Sequence, residues 1–172
     1  NINRTTRLLR QILEVRKSQA GQLHLLVSKG NLTSFIEDAC ENIRPMAEHQ
    51  KITLSLEKPR GDGMAWFDAD KLDKIIYNLI SNAIKYNKVG GKIDVSLSFD
   101  KEQAIIRISD NGIGMSEEKM KHLYTRFFDG DYRKQNQPGT GIGLALTHDL
   151  VKLHHGDIRC ESEEGKGTTF TL

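Results

Sequence analysis

A chain of 172 residues that is 37% hydrophobic and 28% charged suits one folded domain with a small appendage, and is too apolar for a disordered segment. It holds no apolar run long enough to span a bilayer and opens on no signal peptide, which excludes a membrane span within it and says nothing of a longer parent. The net charge of +2 is uneven: Arg4, Arg7, Arg10, Arg16 and Lys17 stand against Glu14 alone in the first 19 residues. That segment has no interleaved aromatics, so packing is favoured over nucleic acid as its purpose.

Residues 2–19 place Ile2, Leu8, Leu9, Ile12, Leu13 and Val15 on an amphipathic helix that Gly21 ends. Its apolar stripe needs a partner, and a second copy of the chain is the expected one. An extended run, Leu23 to Val27, leads to a turn at Lys29-Gly30. Asn31 then reads as the N-cap of a helix carrying Leu32, Phe35, Ile36, Ala39 and Ile43. Pro45 is expected to kink or divide that helix. Ile52, Leu54 and Leu56 alternate as a strand, residues 59–63 turn, and Met64 to Phe67 form a short strand. Asp68 or Asp70 caps a long helix with Leu72, Ile75, Ile76, Leu79, Ile80, Ala83 and Ile84 inward. After Gly90-Gly91 two strands read as a hairpin, one with Ile93, Val95 and Leu97, the other with Ala104, Ile106 and Ile108. Ser116 starts a helix reaching Phe127, residues 129–138 form a polar loop, and Thr140 to His154 is the last helix. Ile158 and Thr168–Leu172 lie on final strands. Asn1 falls in mid-helix and Leu172 in mid-strand, so the chain reads as a piece of something longer. Cys40 and Cys160 have no ligand spacing and read as buried free thiols. Helices segregated from a run of antiparallel strands give an α+β two-layer sandwich, one sheet under one helical face.

Four motifs carry the chemistry. Asn78-Leu79-Ile80-Ser81-Asn82-Ala83-Ile84-Lys85-Tyr86-Asn87 puts Asn78, Asn82 and Lys85 at i, i+4 and i+7, on a face expected to be distinct from the core face. An amide oxygen suits Mg²⁺ and a lysine one turn on can neutralise phosphate. Asp110-Asn111-Gly112-Ile113-Gly114 ends a strand in a carboxylate able to accept from the amino group of adenine. Gly139-Thr140-Gly141-Ile142-Gly143-Leu144 opens a helix whose free amides can face phosphate. Gly165-Lys166-Gly167-Thr168-Thr169-Phe170 is a further glycine turn. Neither a dinucleotide fingerprint nor a P-loop fits, because Leu144 replaces the third glycine of the former and no Gly-Lys-Ser/Thr follows. Alone each motif has a bland reading as a solvated stripe or a turn. In series they describe a pocket for Mg-ATP.

The ordered set resembles the catalytic, ATP-binding domain of sensor histidine kinases in the Bergerat-fold superfamily, with the motifs similar to its N, G1, G2 and G3 boxes. Tyr124-Thr125-Arg126-Phe127-Phe128 resembles the F box, and Ala20-Gly21-Gln22-Leu23 the junction after the dimerisation hairpin. The resemblance implies a two-layer α/β sandwich, a mixed sheet with helices on one face, over residues 20–172, preceded by the second hairpin helix over 1–19. It implies ATP and Mg²⁺ as cofactors, with Asn82 the metal ligand and Asn78 beside the transferring phosphoryl group. Lys85 would meet a phosphate, Tyr86 lie against the nucleotide, and Asp110 read adenine with room left by Gly112 and Gly114. Gly139, Thr140, Gly141 and Gly143 would bring backbone to the phosphates. Arg126 would address the γ-phosphate, Arg133 and Lys134 the phosphates from the loop, and Thr169 would sit near the base. The implied partners are a phosphoacceptor histidine of the chain's own homodimer and a response-regulator receiver domain, in a cytoplasmic domain of a membrane-anchored parent.

Thr125 and Asp129 depart from the F box, which usually has an acid before its arginine and a basic residue after its aromatic pair. No histidine stands where that family carries its acceptor: His148-Asp149 matches only superficially, and His24, His49, His122, His154 and His155 read as structural or surface residues. Two other readings stay open. One is an ATP hydrolase of the gyrase or Hsp90 kind, for which Asn78 is a poor base where a glutamate is needed. The other is a non-catalytic module that relays conformation.

Overall fold

The structure, a computed structural model, describes residues 2–125 and 142–172. Its elements in chain order are α1 (Ile2–Gln19), β1 (Ser28–Asn31), α2 (Leu32–His49), β2 (Thr53–Glu57), β3 (Met64–Phe67), α3 (Ala69–Lys85), β4 (Lys92–Asp100), β5 (Gln103–Asp110), α4 (Glu117–Lys121), α5 (Gly143–Leu153), β6 (Arg159–Glu163) and β7 (Gly167–Thr171). Alternation along the strands decides the layering. Ile93, Val95, Leu97, Ile106, Ile108 and Phe170 are buried against the helices, while Asp94, Ser98 and Arg107 on the other face meet solvent. The five-stranded sheet runs β2-β4-β5-β7-β6. It is mixed, as the resemblance implied: β2 and β4 pair in parallel and the other neighbours antiparallel.

α3 is the central helix because both its ends and its apolar face are held. Leu72, Ile75, Ile76, Leu79, Ile80, Ala83 and Ile84 are buried in one core with α2, α5 and the sheet; each large aliphatic contributes on the order of 1.5–3 kcal/mol. Asp68, not Asp70, is its N-cap, accepting from the Lys71 amide at 3.1 Å. The same carboxylate, 2% exposed, accepts from the Leu26 amide at 2.8 Å and the Lys71 ammonium at 2.9 Å. Its own amide lies 3.4 Å from Nε2 of His154, whose Nδ1 lies 2.8 Å from the Leu150 carbonyl. A carbonyl can only accept, so the proton sits on Nδ1 and Nε2 is the acceptor. Asp68 therefore joins the segment after α1, the start of α3 and the end of α5.

Three expectations from sequence are corrected. Pro45 lies inside α2 without dividing it. Its ring is exposed, and Ile43 before it and Ala47 after it are both buried, which outweighs a loss of about 3 kcal/mol. The turn expected at Lys29-Gly30 is instead the strand β1, because residues 28–31 pair antiparallel with β3, setting Gly30 beside Ala65 and under the Phe67 ring. The α4 helix keeps its Ser116 cap but stops at Lys121 rather than reaching Phe127. The start expected at Thr140 for the last helix lies outside the described residues. The apolar stripe of α1 is partly covered within its own chain. Val15 is buried and Leu8 and Ile12 pack on the core, Ser18 bonds Asp149 of α5 at 2.9 Å, and Lys74 of α3 pairs with Glu14. Leu9 and Leu13 stay exposed on its far side. Cys40 and Cys160 are free, and burial pushes their thiols up to about 11 and about 12.

Burial by itself would raise the Asp68 pKa, but the donors from Leu26 and Lys71 outweigh it and hold it below the ordinary carboxylate range. A depressed native pKa gives stability that is present above the unfolded value, about 3.9, and lost as pH falls through the native one. Asp68→Asn is expected to cost about 3 kcal/mol at neutral pH. Urea unfolding of both chains should show that difference shrinking below about pH 4.

Candidate nucleotide site

The described parts of the four glycine and amide motifs, which run from Asn78 to Phe170, meet through hydrogen bonds. The Tyr86 carbonyl, at the end of α3, accepts from the Ile113 amide at 3.0 Å. The Ile113 carbonyl in turn accepts from Gly165 at 2.8 Å. The third motif joins through Asn78, whose amide nitrogen lies 3.3 Å from the carbonyl of Gly143. Between them opens a cleft lined by Asn82 and Ala83 of α3, Tyr86 at its C-cap, Asp110, Ile113 and Gly114 of the second motif, Met115, Lys119, Leu144, and Thr168 and Phe170 of β7. Leu79 and Ile108 form part of its floor.

Asp110 ends β5 in the middle of the sheet, flanked by Ile93 and Thr168. Its carboxylate accepts from the Gly112 amide at 2.8 Å and from the Thr168 amide. Burial still dominates, and pushes its pKa above the ordinary carboxylate value. The glycines around it answer to neighbouring chain rather than only to a ligand. A Cβ at Gly112 would strike the Tyr86 carbonyl, one at Gly114 the Glu163 carbonyl, and one at Gly167 the Asp110 carbonyl. Gly114 and Gly167 also sit at φ +65° and +123°, where side chains are strained.

The remaining residues singled out from sequence divide. Asn82 lines the cleft, and its side-chain amide has no hydrogen-bond partner among the described residues, leaving an oxygen donor of the kind Mg²⁺ takes. Lys85 is half-buried with its ammonium 5.1 Å from the Tyr86 ring centroid. Asn78 is 7% exposed, so the polar stripe expected to stand clear of the core is buried at this position between α3 and α5. Gly143 opens α5, with no side chain capping the helix and no steric demand on its Cα tighter than 3.8 Å. Thr169 is turned away: it bonds Ser109 across the strand pair at 2.7 Å, on the sheet face opposite Asp110. Strand alternation puts Thr168 in the cleft instead. Arg126, Arg133, Lys134, Gly139, Thr140 and Gly141 lie outside the described residues. Lys119 was not foreseen; the signal for it was the Ser116 cap, which sets it in the first turn of α4. His148 stacks on Tyr124 with centroids 4.7 Å apart.

Comparison with known proteins gives three findings. Residues 67–172 match the family profile described as histidine kinase-, DNA gyrase B-, and HSP90-like ATPase. The chain is 31% identical over 174 residues to Histidine kinase P4 of Formosa agariphila, and 34% identical over 142 residues to Sensor histidine kinase RppB of Synechocystis. Those alignments cover 99% and 82% of this chain but 13% and 31% of the relatives, so the chain spans less than a third of either. Among solved structures, full-length ShkA in complex with AMPPNP superposes with a TM-score of 0.83 at 20% identity, over 95% of this chain and 34% of that one.

Substitution separates the two demands on glycine. Gly165 has φ +81° with open space around it, whereas Gly167 is both strained and blocked. Gly165→Ala is expected to cost about 1 kcal/mol and Gly167→Ala about 3 kcal/mol or more. Paired denaturant curves check the difference.

Proposed function

The chain belongs to the histidine kinase-, DNA gyrase B- and HSP90-like ATPase family, and on that footing we propose that it is the catalytic domain of a two-component sensor histidine kinase, transferring the γ-phosphoryl group of Mg-ATP to a histidine. The observation that carries this is the single cleft in which Asn82, Tyr86, Asp110, Gly114 and Thr168 converge from separate motifs. Asp110 accepts from the exocyclic amino group of adenine, whose faces meet the apolar walls made by Ile113, Met115 and Phe170. The phosphates run toward the first turn of α5, where uncapped amides favour negative charge. Lys85 and Lys119 supply compensating positive charge. Asn82 holds Mg²⁺, which when bound neutralises charge on the triphosphate.

In the reaction an imidazole nitrogen of the acceptor attacks the γ-phosphorus, the bond to the β-bridging oxygen breaks, and ADP leaves. The protein's part is placement and charge compensation rather than covalent chemistry. Asn78 supports transfer over hydrolysis. Its amide nitrogen is committed to Gly143 and Thr147, and an amide has no basicity with which to activate water. The acceptor histidine is supplied by a hairpin to which α1 belongs, and a receiver domain takes the phosphoryl group onward. Relatives of this chain are named as sensor histidine kinases, which supports that assignment.

The test is titration of a fluorescent ATP analogue with and without Mg²⁺. Asn82→Ala is expected to abolish the Mg²⁺ dependence, and Asp110→Asn to weaken binding about tenfold or more. Because burial raises the Asp110 pKa, the ionised acceptor exists only above that raised value. Affinity should therefore fall on acidification before the ordinary carboxylate range near 3.9 is reached, and Asp110→Asn should be flat there. Given ATP and a hairpin bearing the acceptor, the chain should form acid-labile phosphohistidine; sustained release of free phosphate without it would identify a hydrolase instead.

A further inference from the structure

Thr147 is wholly buried, at 0% exposure, and so far enters only as a partner of the Asn78 amide nitrogen. It lies on α5 one turn after Gly143, and its hydroxyl donates to the Gly143 carbonyl at 2.8 Å. Asn78 of α3 faces this pair, with its amide nitrogen 3.3 Å from the Gly143 carbonyl and 3.3 Å from the Thr147 hydroxyl oxygen. The carbonyl has no proton to give, and the hydroxyl has given its only one to that carbonyl. Both groups presented to Asn78 are acceptors, so only the NH₂ end of the amide can face α5. The carbonyl oxygen of Asn78 is thereby turned the other way. There it lies 3.5 Å from Nε2 of Gln11, at the edge of the polar cavity between α1 and α3.

We propose that Thr147 is a positioning residue for phosphoryl transfer: with the Gly143 carbonyl it locks the polarity of the Asn78 amide, so that an acceptor oxygen faces the side from which the histidine-bearing hairpin approaches. The inference rests on the kinase reading, and deepens it. Asn82, one turn on from Asn78, points its amide into the nucleotide cleft, whereas Asn78 borders the cavity against α1 that Arg7, Arg10, Lys74 and Tyr77 also line. The two asparagines of one helix thus serve opposite sides of the transfer, one toward nucleotide and one toward acceptor. An unlocked amide would present donor and acceptor ends in turn. The nucleotide would still bind while the acceptor met the wrong polarity for part of the time. The lock also couples the start of α5 to α3, because one carbonyl, that of Gly143, receives both Thr147 and Asn78.

Two measurements decide the proposal. In the unaltered chain, nuclear Overhauser contacts from the side-chain amide protons of Asn78 should reach Thr147 and Gly143. Contacts to Gln11 in their place would reverse the polarity and overturn the lock, whatever the fate of any variant. The second measurement compares Thr147→Val and Thr147→Ser for Mg-ATP affinity and for the phosphotransfer rate to a supplied acceptor hairpin at saturating ATP. Thr147→Val should bind Mg-ATP within about twofold of the original and transfer about tenfold more slowly, the worth of one neutral hydrogen bond. Thr147→Ser, which keeps the hydroxyl, should restore the rate. Equal rates in all three chains would overturn the catalytic role. Loss of affinity and rate together in Thr147→Val, without rescue by serine, would reduce Thr147 to packing and overturn it as well. Failure of the unaltered chain to bind Mg-ATP would instead overturn the kinase reading, and the Overhauser contacts would still decide the lock.

Discussion

The cleft is built against α3, a helix that has to serve as core and as binding surface at once. Its apolar side is committed to the sheet, α2 and α5, and that commitment leaves no rotational freedom. With the core face settled, helical geometry lines up Asn78, Asn82 and Tyr86 along one margin, Asn78 a turn earlier where α5 covers it and Asn82 and Tyr86 at the cleft. Asp68 then sets the helix along its axis, since one buried carboxylate holds the segment after α1, the first turn of α3 and, through His154, the end of α5. A buried charge is tolerable here because hydrogen-bond donors and the Lys71 ammonium surround it.

Around Asp110 the controlling fact is how closely separate pieces of backbone approach. Chain segments pack around the turn after Asp110 so tightly that a Cβ at Gly112, Gly114 or Gly167 would strike a neighbouring carbonyl. The same crowding withdraws Asp110 from water and raises its pKa. The contact proposed between Asp110 and a purine amino group, and the response to mild acid expected of it, therefore rest on one geometry. The glycines are explained by the protein's own packing, and the space for a ligand lies beyond them, between Tyr86, Ile113, Met115 and Phe170.

The contact of α1 with the rest of the chain extends the same logic outward. The helix divides its apolar residues, Val15, Leu8 and Ile12 toward α3 and α5, Leu9 and Leu13 toward solvent. Its polar residues meet α3 near Asn78: Gln11 reaches that amide, Glu14 pairs with Lys74, and Arg7 lies over the Tyr77 ring. The side of α3 away from the cleft is thus lined for contact with a helix, and the Asn78 side-chain oxygen faces Gln11 on that side.

Much of this was legible in the sequence, because it depends on local rules. Capping chemistry located the starts of α2 and α4 at Asn31 and Ser116 and narrowed that of α3 to Asp68 or Asp70, and period-two alternation located β4 and β5. The spacing of four motifs pointed to one nucleotide pocket. What sequence misread has a common cause, that the deciding contact lies far along the chain. Pro45 did not divide α2 because the core grips the helix on both sides of it. The turn read at Lys29-Gly30 is a strand because β3 offers it a ladder. The fourth motif offered two threonines, and its pairing with β5, not its composition, turned Thr168 inward and Thr169 away. Asn78 reads as a surface amide on a helical wheel, yet lies buried because α5 covers it. By itself the sequence determined which elements form and what chemistry they carry, since propensity, capping and periodicity act over a few residues. Only the tertiary structure decided which side each polar group faces, because that depends on which acceptors and donors distant segments bring to meet it.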